Sequence, residues 1–127
     1  MIVEICANSF ESAFNAQQAG AHRIELCSEL VVGGITPSYG LIKQVMTSLS
    51  IPVFVLIRPR SGDFNYSDAE FKIIKNDIKL CKKLGCSGIV SGVLNRDNSI
   101  DILRTQELVE LAKPLPFVFH RAFDLVP

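Results

Sequence analysis

The sequence lacks a surplus of either charge sign: its 127 residues carry 13 basic and 13 acidic side chains, and the formal net charge at pH 7 is zero. Nucleic acids and anionic membrane surfaces select basic proteins, so we expect neither as a partner. No apolar run reaches the roughly 18 residues that a transmembrane helix needs. Low-complexity tracts are absent and 48% of the residues are hydrophobic, so a folded domain is predicted.

Signals for export are also missing. Residues 1–6 contain no basic side chain, and Glu4 interrupts what would be the apolar part of a signal peptide. The cysteines are too few for the disulfide framework of a small secreted protein: Cys6, Cys27, Cys81 and Cys86. The last two are interpreted as packing residues of a helix and of the turn after it. We therefore expect a cytoplasmic protein with reduced thiols.

Short apolar strands alternate with amphipathic helices along the chain. The predicted strands are residues 2–6, 23–27, 53–57, 88–94 and 117–120. Asn8 is the predicted cap of the first helix, and Thr36-Pro37 the predicted start of the second. An alternation of this kind, with fully apolar strands, indicates a parallel sheet covered by helices. The predicted fold class is α/β, with residues 1–127 belonging to one domain and no second domain.

Charged side chains occur within these predicted strands. Because side chains alternate between the faces of a strand, the wholly apolar set of each strand is expected beneath the helices. The opposite face then collects Glu4, Cys6, Arg23, Glu25, Cys27, Arg58 and His120. In a (β/α) barrel this face lines the lumen, and the carboxyl ends of the strands form the functional mouth. The pattern therefore predicts a polar site at those strand ends.

Structural interpretations of the same residues stay open. One is an ion-pair lattice that fixes the register of the strands and has no other role, formed by Glu4, Arg23, Glu25 and Arg58. For Cys6 and Cys27, the alternative to a functional role is packing as small buried apolar residues, because free cysteine is among the most buried residue types.

A functional interpretation is an enzyme or binding protein for a small anionic metabolite. Gly33 and Gly34 precede the predicted helix start at Thr36, and flexible backbone beside a helix N-terminus suits an anion. Arg58 is expected at the same end of the sheet, which makes it a third anion-binding candidate. The acid–base candidates of such a site are Glu4, Glu25 and His120.

Five segments together resemble the copper homeostasis protein CutC family. They are VEIC (3–6), GAHRIELC (20–27), GGITPSYG (33–40), IRPRSGDF (57–64) and PFVFHRAFD (116–124). The resemblance implies a cytoplasmic TIM (β/α)8 barrel that takes part in copper homeostasis. It also implies that Cys6 and Cys27 bind Cu(I), for which thiolates are suitably soft ligands. No catalytic activity is securely attached to this family, so the resemblance favours a role other than catalysis.

The length of the sequence limits how much of such a barrel it forms. A closed (β/α)8 barrel needs at least about 200 residues, and this sequence ends just after its fifth predicted strand. We therefore predict a partial barrel, the N-terminal part with five strands and four helices. An open sheet would leave an unpaired edge and an apolar patch of Phe54, Leu56 and Val118, so we expect a homo-oligomer.

Overall fold

A computed structural model describes residues 1–127, and its elements follow the predicted order. The strands are β1 (Glu4–Ala7), β2 (Arg23–Leu26), β3 (Val53–Leu56), β4 (Gly88–Ser91) and β5 (Phe117–Phe119). The α-helices are α1 (Phe10–Gln18), α2 (Tyr39–Ser48), α3 (Asp68–Lys83) and α4 (Ile102–Ala112). Two short 3-10 helices follow β2 and β5, at Leu30–Val32 and Arg121–Leu125. None of the helices combines the length and the apolarity that crossing a bilayer would require.

The strands form one parallel sheet in the sequential order β1-β2-β3-β4-β5. In its register Glu4 lies opposite Arg23, and Phe54 lies opposite Gly88. A helix connects each strand to the next, which is the arrangement of consecutive units in a (β/α) barrel. The predicted α/β fold, a partial barrel of five strands and four helices, is confirmed.

The larger core lies between the sheet and the helices. Helix α3 shows how the sequence builds it: Ser67 and Glu70 form a capping box, and the apolar residues at helical spacing after it face the sheet. From the strands this core receives the apolar set that the alternation predicted, including Ile24, Leu26, Val53, Val55 and Ile57, and it also receives Ile89 of β4. The predicted assignment of faces is therefore confirmed for the central strands.

A smaller cluster lies on the opposite, lumen-side face and consists of Cys27, Phe54, Leu56 and Val90. The Arg23 guanidinium lies 4.5 Å from the centre of the Phe54 ring and covers it. Gly88 on β4 leaves room for the same ring, because a Cβ at that position would overlap it. The register of β3 and β4 thus places Gly88, which has no side chain, beneath the Phe54 ring.

The predicted apolar patch is only partly present. Phe54 and Leu56 are 6% and 5% exposed, so their predicted exposure is wrong. Arg23 covers the first ring, and the loop at Gly34 covers the second side chain, where an added Cβ would lie 2.7 Å from Leu56 Cδ2. Val118 is 41% exposed, as predicted. Homo-oligomer formation stays a prediction.

The first two helices begin later than predicted. Ser9 caps α1 in place of Asn8, and Ser38 caps α2 in place of Thr36. Thr36 instead joins its loop to the end of β3, because its hydroxyl oxygen accepts the amide of Arg58 at 2.8 Å. The N-terminus of α2 is consequently not formed at the residue where an anion-binding helix start was predicted.

Candidate functional site

A pocket of about 270 Å³ opens at the carboxyl ends of the strands on the lumen face, and we call it the mouth pocket. Its polar wall residues are Cys6, Glu25, Arg58, His120 and Arg121. The rest of its wall consists of Gly33, Leu56, Phe64, Val90 and Val118. The fold therefore brings together most of the predicted site residues. Among those predicted, Glu4, Cys27 and Gly34 do not line this pocket.

Glu4 and Arg23 form an ion pair across β1 and β2. Both side chains are about one-third exposed, and pairs at this level of exposure contribute little to stability. Of the four-residue ion-pair lattice that stayed open as a structural alternative, only this pair is present. Glu25 and Arg58 each have other contacts, so the lattice interpretation is wrong for those two residues.

Cys6 and Glu25 lie opposite each other in the register of β1 and β2. The Cys6 thiol donates a hydrogen bond to Glu25 Oε2, with the two atoms 3.5 Å apart. Partial burial and the negative charge of Glu25 raise the pKa of Cys6 to about 11, so this group is a thiol at neutral pH. Burial also raises the pKa of Glu25 above its usual value.

Cys27 follows β2 and is a diagonal neighbour of Cys6 on the lumen face, because it lies two residues beyond the register partner of Cys6. It is 3% exposed, and its thiol contacts the carbonyl oxygen of Ala7 at 3.8 Å. Burial raises the pKa of Cys27. The structure contains no group of three or more histidine, cysteine, aspartate or glutamate side chains placed to hold a metal ion.

Arg58 connects two loops at the mouth. Its side chain is buried, with the residue 3% exposed. Nη1 donates to the carbonyl oxygens of Val32 and Gly34 at 2.7 and 2.8 Å, and Nη2 donates to the carbonyl oxygen of Gly62 at 2.9 Å. Nε is buried and has no hydrogen-bond partner. Arg58 thus holds the loops in place with three of its five N–H groups.

The loop that contains Gly33 and Gly34 contributes space to the site. Gly33 and Gly34 have φ angles of 88° and 92°, a left-handed conformation that glycine adopts without strain. Their amides donate to the carbonyl oxygens of Leu30 and Glu29 at 2.9 and 3.0 Å. Because both amides already have acceptors, the predicted backbone cradle for an anion is not formed here. A Cβ at Gly33 would instead overlap the guanidinium of Arg121.

His120 follows β5 and faces the mouth pocket as predicted. Its Nδ1 accepts the amide of Ala122 at 3.1 Å, and its ring lies 5.0 Å from the Phe64 ring, centre to centre. Burial and the positive charges of Arg58 and Arg121 lower the pKa of His120 to about 4. The imidazole is therefore neutral at pH 7, and since Nδ1 accepts, its proton is on Nε2. This Nε2 is buried without a partner.

Arg121 is a site residue that the strand pattern did not reveal. It directly follows His120, so extending the candidate set by one residue beyond the strand end would have included it. The guanidinium carbons of Arg121 and Arg58 lie 5.8 and 5.0 Å from the centre of the Phe64 ring. Neither arginine takes part in any ion pair of the chain. Two unpaired cations therefore share one aromatic ring at the pocket wall.

A sequential parallel sheet with helices on one face and a polar pocket at its strand ends defines part of a (β/α) barrel with a candidate binding site at its mouth. The motifs that form this mouth are those on which the resemblance was based. The chain belongs to the CutC family, whose match extends over residues 1–127.

The similarity of individual relatives supports the assignment to this family. A mouse protein named copper homeostasis protein cutC homolog is 54% identical over 125 residues, which are 98% of this chain and 46% of that protein. A CutC family protein of Proteus mirabilis is 50% identical over 97% of this chain and 49% of its own length. A solved structure of CutC from Streptococcus agalactiae has a TM-score of 0.90 and 40% identity, covering all of this chain and 62% of that one.

The chain spans about half the length of the curated relatives it matches. Its correspondence with the solved structure extends over every described element. The family resemblance is thus confirmed. That residues 1–127 are the N-terminal part of a single barrel domain stays a prediction.

Proposed function

We propose that this protein acts in copper homeostasis in the cytoplasm by binding Cu(I) through Cys6 and Cys27. The observation that carries the proposal is the position of both thiols on the lumen face of two neighbouring strands, at the same end of the sheet. Thiolates are soft ligands that favour Cu(I) over harder cations, and a reducing compartment keeps them available. The names of the mouse and human relatives refer to copper homeostasis, which supports the same role.

Binding of Cu(I) at this pair requires the loss of two protons. The pKa of Cys6 is about 11 and burial raises the pKa of Cys27, so both groups are protonated at pH 7. Metal affinity at protonated ligands increases with pH, here by about tenfold per pH unit for each thiol. Glu25 already accepts the hydrogen bond of the Cys6 thiol, and it is the nearest acceptor for that proton.

The two thiols differ in access. Cys6 is exposed at the mouth pocket, whereas Cys27 is buried and contacts Ala7. An ion therefore reaches Cys6 first, and Cys27 joins the coordination after its thiol leaves the Ala7 carbonyl oxygen. Loss of that weak contact costs little compared with the formation of a metal–sulfur bond. Cys6 is therefore the ligand that binds the ion first, and Cys27 is the ligand that completes the coordination.

The test is an anaerobic titration of the 127-residue chain with Cu(I) against a competing chelator. The double variant Cys6→Ala/Cys27→Ala removes the proposed ligands. The matched control Cys81→Ala/Cys86→Ala also removes two thiols, but from the core beneath the helices. We expect the unaltered chain and the control to bind one Cu(I) with the same affinity, and the first variant to lose this binding. Equal affinity of all three proteins would contradict the proposal.

A further inference from the structure

The two arginines of the mouth pocket, Arg58 and Arg121, form no ion pair with any carboxylate of the chain. Arg58 is 3% exposed and Arg121 lies beside it on the Phe64 ring. Every other buried or half-buried arginine of the chain has a carboxylate partner, namely Arg23, Arg60 and Arg104. A buried charge is costly unless it is paired. The missing counter-charge at this one place points to an anion supplied from outside the chain.

Unused hydrogen-bond donors occur at the same wall of the pocket. His120 Nε2 carries the proton of a neutral imidazole because Nδ1 accepts the Ala122 amide, and this Nε2 has no acceptor. Arg58 Nε is likewise buried without an acceptor, and the hydroxyl of Tyr66, which lies near the same guanidinium but outside the pocket wall, is also buried without a partner. The Arg121 guanidinium makes no hydrogen bond within the chain and is held only by Phe64 and by the space that Gly33 leaves. Buried donors without acceptors are rare in proteins, and a ligand oxygen would satisfy them.

The two sides of the pocket have opposite character. The basic residues come from the ends of β3 and β5, whereas Cys6 and Glu25 come from β1 and β2. A ligand that is anionic throughout would meet the Glu25 carboxylate. A ligand with an anionic group at one end and hydroxyl or amino groups at the other would match both sides. A volume of about 270 Å³ limits it to a small metabolite.

We propose that the mouth pocket binds the phosphate group of a small phosphorylated metabolite, held by Arg58, His120 and Arg121. Donors from three side chains match the three terminal oxygens of a phosphate group better than the two oxygens of a carboxylate. Guanidinium groups are the preferred side chains for this recognition. The proposed contacts to the phosphate group use neither Cys6 nor Cys27, so they are tested on the copper-free chain.

The test measures binding of inorganic phosphate by calorimetry to the copper-free 127-residue chain at constant ionic strength. Two variants each change one group of the proposed site. Arg121→Gln removes the positive charge at an exposed side chain, and His120→Asn removes Nε2 while its Oδ1 replaces Nδ1 as acceptor for the Ala122 amide. Arg96→Gln is the matched control, because Arg96 is exposed, unpaired and outside the pocket. It changes the net charge by the same amount as Arg121→Gln.

We expect phosphate to bind the unaltered chain and the Arg96→Gln control equally. Each pocket variant should weaken binding by about tenfold or more, as is typical for the loss of a hydrogen bond to a charged group. Malonate, which offers carboxylates only, should bind more weakly than phosphate. The proposal is overturned by absence of phosphate binding, by an equal loss in Arg96→Gln, or by tighter binding of malonate. None of these results bears on the Cu(I) titration, so the two proposals fail separately.

Discussion

Acidification should destabilise this fold through His120. The pKa of this buried imidazole is lowered to about 4, below the value of 6.5 expected in an unfolded chain. Its contribution to stability is therefore fully present above pH 6.5 and is lost as the pH falls towards 4. Between these values the unfolded chain binds one proton more, so the free energy of unfolding falls by about 1.4 kcal/mol per pH unit. The loss from this residue is on the order of 3 kcal/mol, a large part of the roughly 5–15 kcal/mol typical of a domain.

The measurement is urea denaturation at a series of pH values from 7 to 4, for the unaltered chain and for His120→Asn. The asparagine keeps an acceptor for the Ala122 amide but does not titrate. All other titrating groups are common to both proteins, so the difference between the two curves isolates His120. We expect the unaltered chain to lose about 3 kcal/mol more than the variant over this range. Parallel curves would refute the conclusion that His120 is held neutral by burial.

Two further predictions concern the lumen face. Gly88→Ala should destabilise the fold by about 1–3 kcal/mol, because its Cβ would overlap the buried Phe54 ring; Gly40→Ala, in α2 with open space around it, should not destabilise it. Equal stabilities of the two variants in urea would contradict the register of β3 and β4. Glu25→Gln should lower the pKa of Cys6 from about 11 by removing the adjacent negative charge. Cys6 should then be alkylated faster at pH 8, as followed by peptide mass spectrometry, and an unchanged rate would contradict the Cys6–Glu25 contact.

The order of the elements and the two faces of the central strands were predictable from the sequence. Period-two alternation in residues 53–57 separates Val53, Val55 and Ile57 from Phe54 and Leu56, and the structure places these sets on opposite faces. Helix starts were less predictable. Asparagine and serine cap helices about equally well and threonine somewhat less well. These differences are small, so tertiary contacts decide among neighbouring candidates, as the hydrogen bonds of Thr36 with Arg58 illustrate.

The residue types of the site were predictable, but their individual contacts were not. Arg58 was expected at the mouth, yet its acceptors Val32 and Gly34 are more than 20 positions away in sequence. Only the loop geometry shows that the Arg58 guanidinium donates its hydrogen bonds to backbone carbonyl oxygens. The burial of Phe54 depends in the same way on Arg23 of the neighbouring strand. Contacts of this kind arise from strand register and loop shape, which single-sequence patterns do not determine.

The central claim is that Cys6 and Cys27 are the ligands of Cu(I). X-ray absorption spectroscopy of the chain loaded anaerobically with one equivalent of Cu(I) tests it most directly, because the spectrum identifies and counts the donor atoms. We predict two sulfur donors per copper, with the same spectrum in Cys81→Ala/Cys86→Ala and no sulfur coordination in Cys6→Ala/Cys27→Ala. Nitrogen or oxygen donors in the unaltered chain, or sulfur coordination that persists without Cys6 and Cys27, would contradict the claim.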